Sequence, residues 1–147
     1  MKLISSAFEH NQTIPSTYTC DGRDVNPPLA IADVPANTKS LALIVDDPDA
    51  PAGTWVHWVV WNIDPHITEI TENSVPSGAT EGTTSFGKTG YGGPCPPSGT
   101  HRYFFKLAAL DRALELSFNA TAADLEHAMD GHVLASAERM GVYARTR

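Results

Sequence analysis

One stretch constrains this chain more than any other: Trp55 to Ile63 reads WVHWVVWNI. It is β-branched and aromatic almost throughout, which favours a strand. It is also apolar on both alternating faces, so it cannot lie at a sheet edge with one side in water. Two other runs share that character, Ser40 to Asp46 (SLALIVD) and Arg102 to Leu110 (RYFFKLAAL). Lys2 to Ser6, Leu29 to Ile31 and Leu114 to Phe118 are weaker strand candidates. Eleven prolines and eleven glycines punctuate the chain without a repeat, the pattern of short strands joined by many turns.

The segment from Glu72 to Gly99 is rich in Gly, Ser, Thr and Pro. A loop of that length inside a compact domain is commonly functional or disordered. Phe86, Lys88, Tyr91 and Cys95 recur among its glycines and prolines, so an ordered loop is expected. The C-terminal third turns helical. Thr121 is an N-cap candidate with Asp124 three residues on, and Leu125 and Met129 follow at i, i+4. Asp130-Gly131 breaks that helix. Val133, Leu134, Ala137 and Met140 share one helical face of a second segment, which Gly141 would end, and Val142 to Arg145 would return as a short strand. Strands followed by one or two helices predict a mainly β, antiparallel sandwich with its helices near the C-terminus.

At 147 residues the chain fits a single domain, residues 1–147, with one core that needs neither disulfides nor a metal. Its formal charge of -7 repels nucleic acid and anionic lipid at long range, so no nucleic-acid partner is expected. Any bound anion must be gripped by a local site. Met1-Lys2-Leu3-Ile4 turns polar at Ser5, and no apolar run is long enough for a signal peptide or a membrane span, so a cytoplasmic protein without membrane insertion is expected. In that compartment Cys20 and Cys95 are expected to remain unbridged.

Three local features carry chemistry. Asp46-Asp47-Pro48-Asp49-Ala50-Pro51 crowds three carboxylates at a strand end, where each needs a partner or water; the plain alternative is a solvated turn. His57 stands between Trp55 and Trp58, and in a strand Trp55, His57, Val59 and Trp61 share a face; the plain alternative is a core histidine with satisfied ring nitrogens. His101 and Tyr103 project to one side of their strand with Arg102 opposite; the plain alternative is strand-entry decoration. Together, two histidines, a tyrosine and a carboxylate beside a Gly-rich loop make a kit for holding an anion. Imidazole and phenol donate, loop N–H groups can form a nest, and the carboxylate orients a histidine or accepts from a protonated ligand.

These motifs resemble the phosphatidylethanolamine-binding protein (PEBP) family, in its small bacterial and archaeal, Raf-kinase-inhibitor-like type. Asp47-Pro48-Asp49-Ala50-Pro51 with Trp55-Val56-His57-Trp58-Val59-Val60 matches one signature block. Gly87-Lys88-Thr89-Gly90-Tyr91-Gly92-Gly93 with Pro96-Pro97-Ser98-Gly99-Thr100-His101-Arg102-Tyr103 matches the other, and Asp21-Gly22 with Asn26-Pro27-Pro28-Leu29 looks like the N-terminal loop of the small members. The resemblance implies a large antiparallel sheet packed on a smaller one. It implies a pocket with Asp47, His57, His101 and Tyr103 as polar groups and Pro51, Cys95, Pro96 and Pro97 at the rim or as backbone, and a cis bond at Ala50-Pro51. At Cys95 the backbone N–H is expected to matter more than the sulfur. The implied ligand is a small anion such as phosphate or a phosphorylethanolamine-like head group. No cofactor is implied. A kinase or protease is the implied kind of protein target, and a homodimer the implied assembly. A binding protein is thus expected rather than an enzyme. The alternative is a hydrolase using Asp47 and His57 as a base pair, or a metal site of two histidines and a carboxylate, although no HExxH-like spacing or nucleophile elbow is present.

Overall fold

The computed structural model describes residues 1–146. Its strands are β1 (Lys2–Ile4), β2 (Leu29–Ala32), β3 (Ser40–Asp47), β4 (Trp55–Ile63), β5 (Glu69–Ile70), β6 (Thr80–Glu81), β7 (His101–Leu110) and β8 (Val133–Tyr143), with one α-helix, α1 (Ala122–Met129). They form a three-stranded sheet in the order β1-β2-β5 and a five-stranded sheet in the order β6-β4-β3-β7-β8, all paired antiparallel. The three most apolar runs of the sequence are the three central strands of the larger sheet. β3 is buried on both faces and β4 over most of its length, while β7 leaves Arg102 and Lys106 exposed on its outer side.

Two cores explain why. Between the sheets, Leu41, Leu43 and Val45 of β3 pack with Trp58 and Val60 of β4, Phe105 and Leu107 of β7, and Leu3, Leu29 and Ile31 of the smaller sheet. On the outer face, Ala42, Ile44, Val59, Trp61 and Leu110 pack beneath α1 through Leu125, which is fully buried. The helix starts as expected: Thr121 accepts from the Asp124 N–H while the Asp124 carboxylate accepts from the Thr121 N–H, a closed capping box.

β4 is not a regular strand. Val45 lies opposite Trp58 but Asp46 lies opposite Val56, so His57 is the extra residue of a β-bulge. The expectation that Trp55, His57, Val59 and Trp61 share a face is therefore corrected. The bulge turns His57 to the inner side with Trp58, while Val59 and Trp61 face outward into the core under α1. A second register shift follows at Asn62, whose φ of 55° lies in the left-handed region that asparagine tolerates. Its side-chain amide brackets the Leu114 backbone, donating to the carbonyl and accepting from the N–H, both at 2.8 Å. Leu114 to Phe118 is accordingly a docked loop and not a strand, because a side chain takes the place of a ladder partner at Leu114.

The second helix expected over Val133 to Met140 is also corrected. That segment is the first part of β8, which runs antiparallel along β7 from His101↔Tyr143 to Leu110↔Val133. The backbone of β7 needs a partner on its second edge, and this tertiary pairing overrides local helix propensity. The period-two pattern is present: Ala135 and Ala137 pack against the inner core on one side, and Ser136 and Glu138 are exposed on the other. Gly141 is no helix terminator. It lies within β8, where an added Cβ would come within 2.5 Å of Ile14 Cγ1 and 2.8 Å of Phe8 Cε2. The N-terminal segment bonds directly to this edge, with Ile14 N–H donating to the Val142 carbonyl and Val142 N–H to that of Gln12.

Candidate functional site

The Asp-rich turn resolves into three separate partnerships. Asp46 faces outward and takes the Lys106 ammonium at 3.0 Å. Asp47 faces inward; its Oδ2 accepts from His101 Nδ1 at 2.6 Å and its Oδ1 from the Asp49 N–H at 2.7 Å. Asp49 is clamped by Arg102 through two side-chain bonds of 2.9 and 2.8 Å and one from the backbone N–H. That guanidinium holds the Asp49 carboxyl down to about 2. Three crowded carboxylates are thus divided between the two faces of the sheet and a surface clamp, each with its own cationic or N–H donors.

The inner end of the sheet opens into a pocket of about 330 Å³. All eight residues expected at the site line it: Asp47, Pro51, His57, Cys95, Pro96, Pro97, His101 and Tyr103. The polar four come from three neighbouring strands, β3, β4 and β7, and all are buried. His57 and Tyr103 meet edge to face at 5.2 Å, and His101 stacks on Tyr103 at 6.5 Å. Ala50, Trp55 and Phe86 complete the wall and were not expected there. The signals for the two aromatics were available: Trp55 lies two residues before His57, and Phe86 opens the Gly-rich loop. Both rings are partly exposed at the mouth, in edge-to-face contact at 5.4 Å.

The Gly-rich loop sets the histidine. His57 Nδ1–H donates to the Gly92 carbonyl at 2.6 Å, and Gly92 N–H returns a bond to the His57 carbonyl at 3.0 Å. The ring is thereby fixed with Nδ1 protonated, leaving Nε2 as its unengaged nitrogen. Burial holds the His57 imidazole below its ordinary pKa, offset in part by the Gly92 carbonyl and the Asp47, Asp46 and Asp24 carboxylates. Burial, then the charge of Asp47, pushes the Tyr103 phenol well up, so it stays a proton donor. The Asp47–His57 pair weighed as a catalytic base is not formed, because Asp47 bonds His101 and His57 bonds Gly92.

Gly92 is also a steric requirement. A Cβ there would lie 2.4 Å from Phe86 Cε2. The Phe86 ring is 41% exposed and can swing out. Gly92→Ala is therefore expected to displace Phe86 from the mouth and weaken ligand binding severalfold, with a stability loss under about 1 kcal/mol because only an exposed ring moves. Titration of the variant beside a urea melt checks both halves.

Two further expectations are corrected. Cys20 and Cys95 form a disulfide, with Cα atoms 5.4 Å apart. Cys20 N–H donates to the Pro94 carbonyl at 3.1 Å, which brings the two loops into register and the sulfurs within bonding distance, so proximity outweighs the expectation drawn from the compartment. The Cys95 sulfur therefore has a structural task. No described peptide bond is cis, so Ala50-Pro51 is trans and its bend at the rim comes from the turn itself.

The model of the phosphatidylethanolamine-binding protein family matches residues 4–144. The chain belongs to that family. It is 50% identical to a UPF0098 protein of Methanothermobacter thermautotrophicus, with 99% of each chain covered, and 47% identical to one from Aquifex aeolicus, with 99% of this chain and 89% of the other covered. Among solved structures, a PEBP homologue from Chlamydia trachomatis superposes with a TM-score of 0.95 at 42% identity, covering 99% of this chain and 97% of the other. Escherichia coli YbcL, described as a new member of the mammalian PEBP family, superposes with a TM-score of 0.92 at 31% identity over 99% and 98%. The expected sandwich, with one helix near the C-terminus, is thus the PEBP fold. No helix among the described residues is long and apolar enough to cross a membrane.

Proposed function

We propose that this PEBP pocket binds a phosphate monoester, with a zwitterionic head group such as phosphorylethanolamine as the best-matched form. The observation that carries the reading is the convergence of His57, His101 and Tyr103 around one hollow, with His57 Nε2 unengaged. The family's name for its ligand points the same way. In this reading the phosphate sits against the two imidazoles and the phenol. An ammonium group fits the Trp55 and Phe86 faces at the mouth, where cation–π attraction is available. Three or four charge-assisted hydrogen bonds at about 1.5–3 kcal/mol each, less the cost of association, give millimolar to micromolar affinity. The role is one of binding, with regulation of a protein target as the output that the family resemblance implies.

The pH dependence follows from His57. Its pKa in the free protein is depressed, so near neutral pH the ring is uncharged. A bound anion favours the imidazolium, so binding takes up a proton and strengthens as pH falls. The expected gain is up to about tenfold per pH unit as the pH falls below the ordinary imidazole value of about 6.5. Phosphate monoesters themselves titrate near pH 6. The ethanolamine sulfate ester, which stays a monoanion over this range, isolates the contribution of the protein. Calorimetric titration of both esters across that range is the test. Sulfate-ester affinity that is flat or falls toward acid contradicts the role given to His57.

A further inference from the structure

The outer face of the five-stranded sheet carries a second hollow, larger than the first, at about 500 Å³. Its floor is Ile44 and Ala108, one wall is Met129 of α1, and its polar end is Asp46, Lys106 and Glu138. Lys106 and Glu138 are directly opposed on β7 and β8, and Glu126 of α1 stands at the rim.

Asp46 is the unusual member. Its side chain is only 9% exposed, and one oxygen, Oδ1, is buried without a hydrogen-bond partner. The other oxygen is held by Lys106, whose own side chain is 48% exposed and also lies over the Phe104 ring, 5.8 Å from its centroid. A buried carboxylate oxygen without a donor is costly, and such atoms are rare in folded proteins. Around the hollow three carboxylates face one ammonium, so its local charge is negative. The volume lies within the range of small-molecule sites. An anion is repelled here, and a neutral apolar molecule leaves Asp46 Oδ1 unsatisfied.

We propose that this hollow is a second ligand site, for a small organic cation. A primary ammonium head bonds Asp46, and an alkyl or aryl body lies over Ile44, Ala108 and Met129. Asp46 and Asp47, adjacent on β3, then serve opposite faces, one holding a cation outside the sheet and the other orienting the anion pocket within.

Three matched probes test this by chemical-shift titration: n-hexylamine, n-hexanol and hexanoate. The amine is expected to give saturable shifts at Ile44, Ala108 and Met129, with the alcohol at least about tenfold weaker and hexanoate without saturable shifts. Asp46→Asn removes the preference for amine over alcohol. Lys106→Met, at an exposed position, removes the competing ammonium and tightens amine binding, which keeps the test open should Asp46→Asn fold poorly. The proposal is overturned if amine and alcohol shift these residues equally, if shifts are confined to the inner pocket, if none saturate because the hollow holds only water, or if Lys106→Met weakens the amine.

Discussion

A Cys20→Ala/Cys95→Ala double variant loses about 4 kcal/mol of unfolding free energy while keeping most of its ligand affinity. The magnitude follows from chain entropy: the bridge spans a sequence separation of 75, and closing a loop of that size restricts the unfolded ensemble by about 4 kcal/mol. The native loops have other ties. Gly93 N–H donates to Asp24 Oδ1 at 2.7 Å, the Tyr91 hydroxyl donates to the Tyr18 carbonyl at 2.8 Å, and Cys20 N–H bonds the Pro94 carbonyl. With those intact, Pro96 and Pro97 stay at the rim, so the loss falls on stability and only slightly on binding. Urea melts under oxidising conditions, beside a ligand titration, separate the two. Equal melting midpoints for wild type and variant would show that the bridge is absent from the folded protein.

His57→Ala lowers phosphate-monoester affinity by about tenfold to a hundredfold, the value of one charge-assisted hydrogen bond. It also removes the partner of the Gly92 carbonyl and leaves a void beside Tyr103, so a stability loss of about 2 kcal/mol accompanies it. Asp47→Ala acts less directly. Its carboxylate lines the pocket but only accepts, holding His101 Nδ1 and the Asp49 N–H, so its removal frees the His101 ring without taking away a hydrogen-bond donor to the anion. Affinity is expected to fall by about severalfold and the fold to persist. Calorimetry on each variant, with melts to confirm folding, gives the comparison. A His57→Ala protein that binds as wild type contradicts the assignment of the ring to the ligand.

Much of this was legible in the sequence because it is encoded locally. The apolarity of Trp55 to Ile63 on both faces required a buried strand with two covering layers, and β4 has them. The Thr121–Asp124 spacing specified a capping box. The four polar pocket residues, Asp47, His57, His101 and Tyr103, lay within two motifs long enough to be specific. What was not legible depends on contacts distant in sequence. The apolar residues of β8 include a set at helical spacing, Val133, Leu134, Ala137 and Met140, as well as an alternating one, and only the pairing with β7 selects the strand. The His57 bulge is a mismatch between two strands, visible in neither alone, yet it decides which face receives the ring. The disulfide depended on the approach of two loops, about which compartment reasoning is silent.

Amide chemical-shift titration with O-phosphorylethanolamine tests the anion pocket most directly. Saturable shifts are expected to concentrate at Asp47, His57, Gly92, His101 and Tyr103, with displacement by inorganic phosphate. Shifts scattered over the surface, or none at these five positions at millimolar ligand, would contradict it.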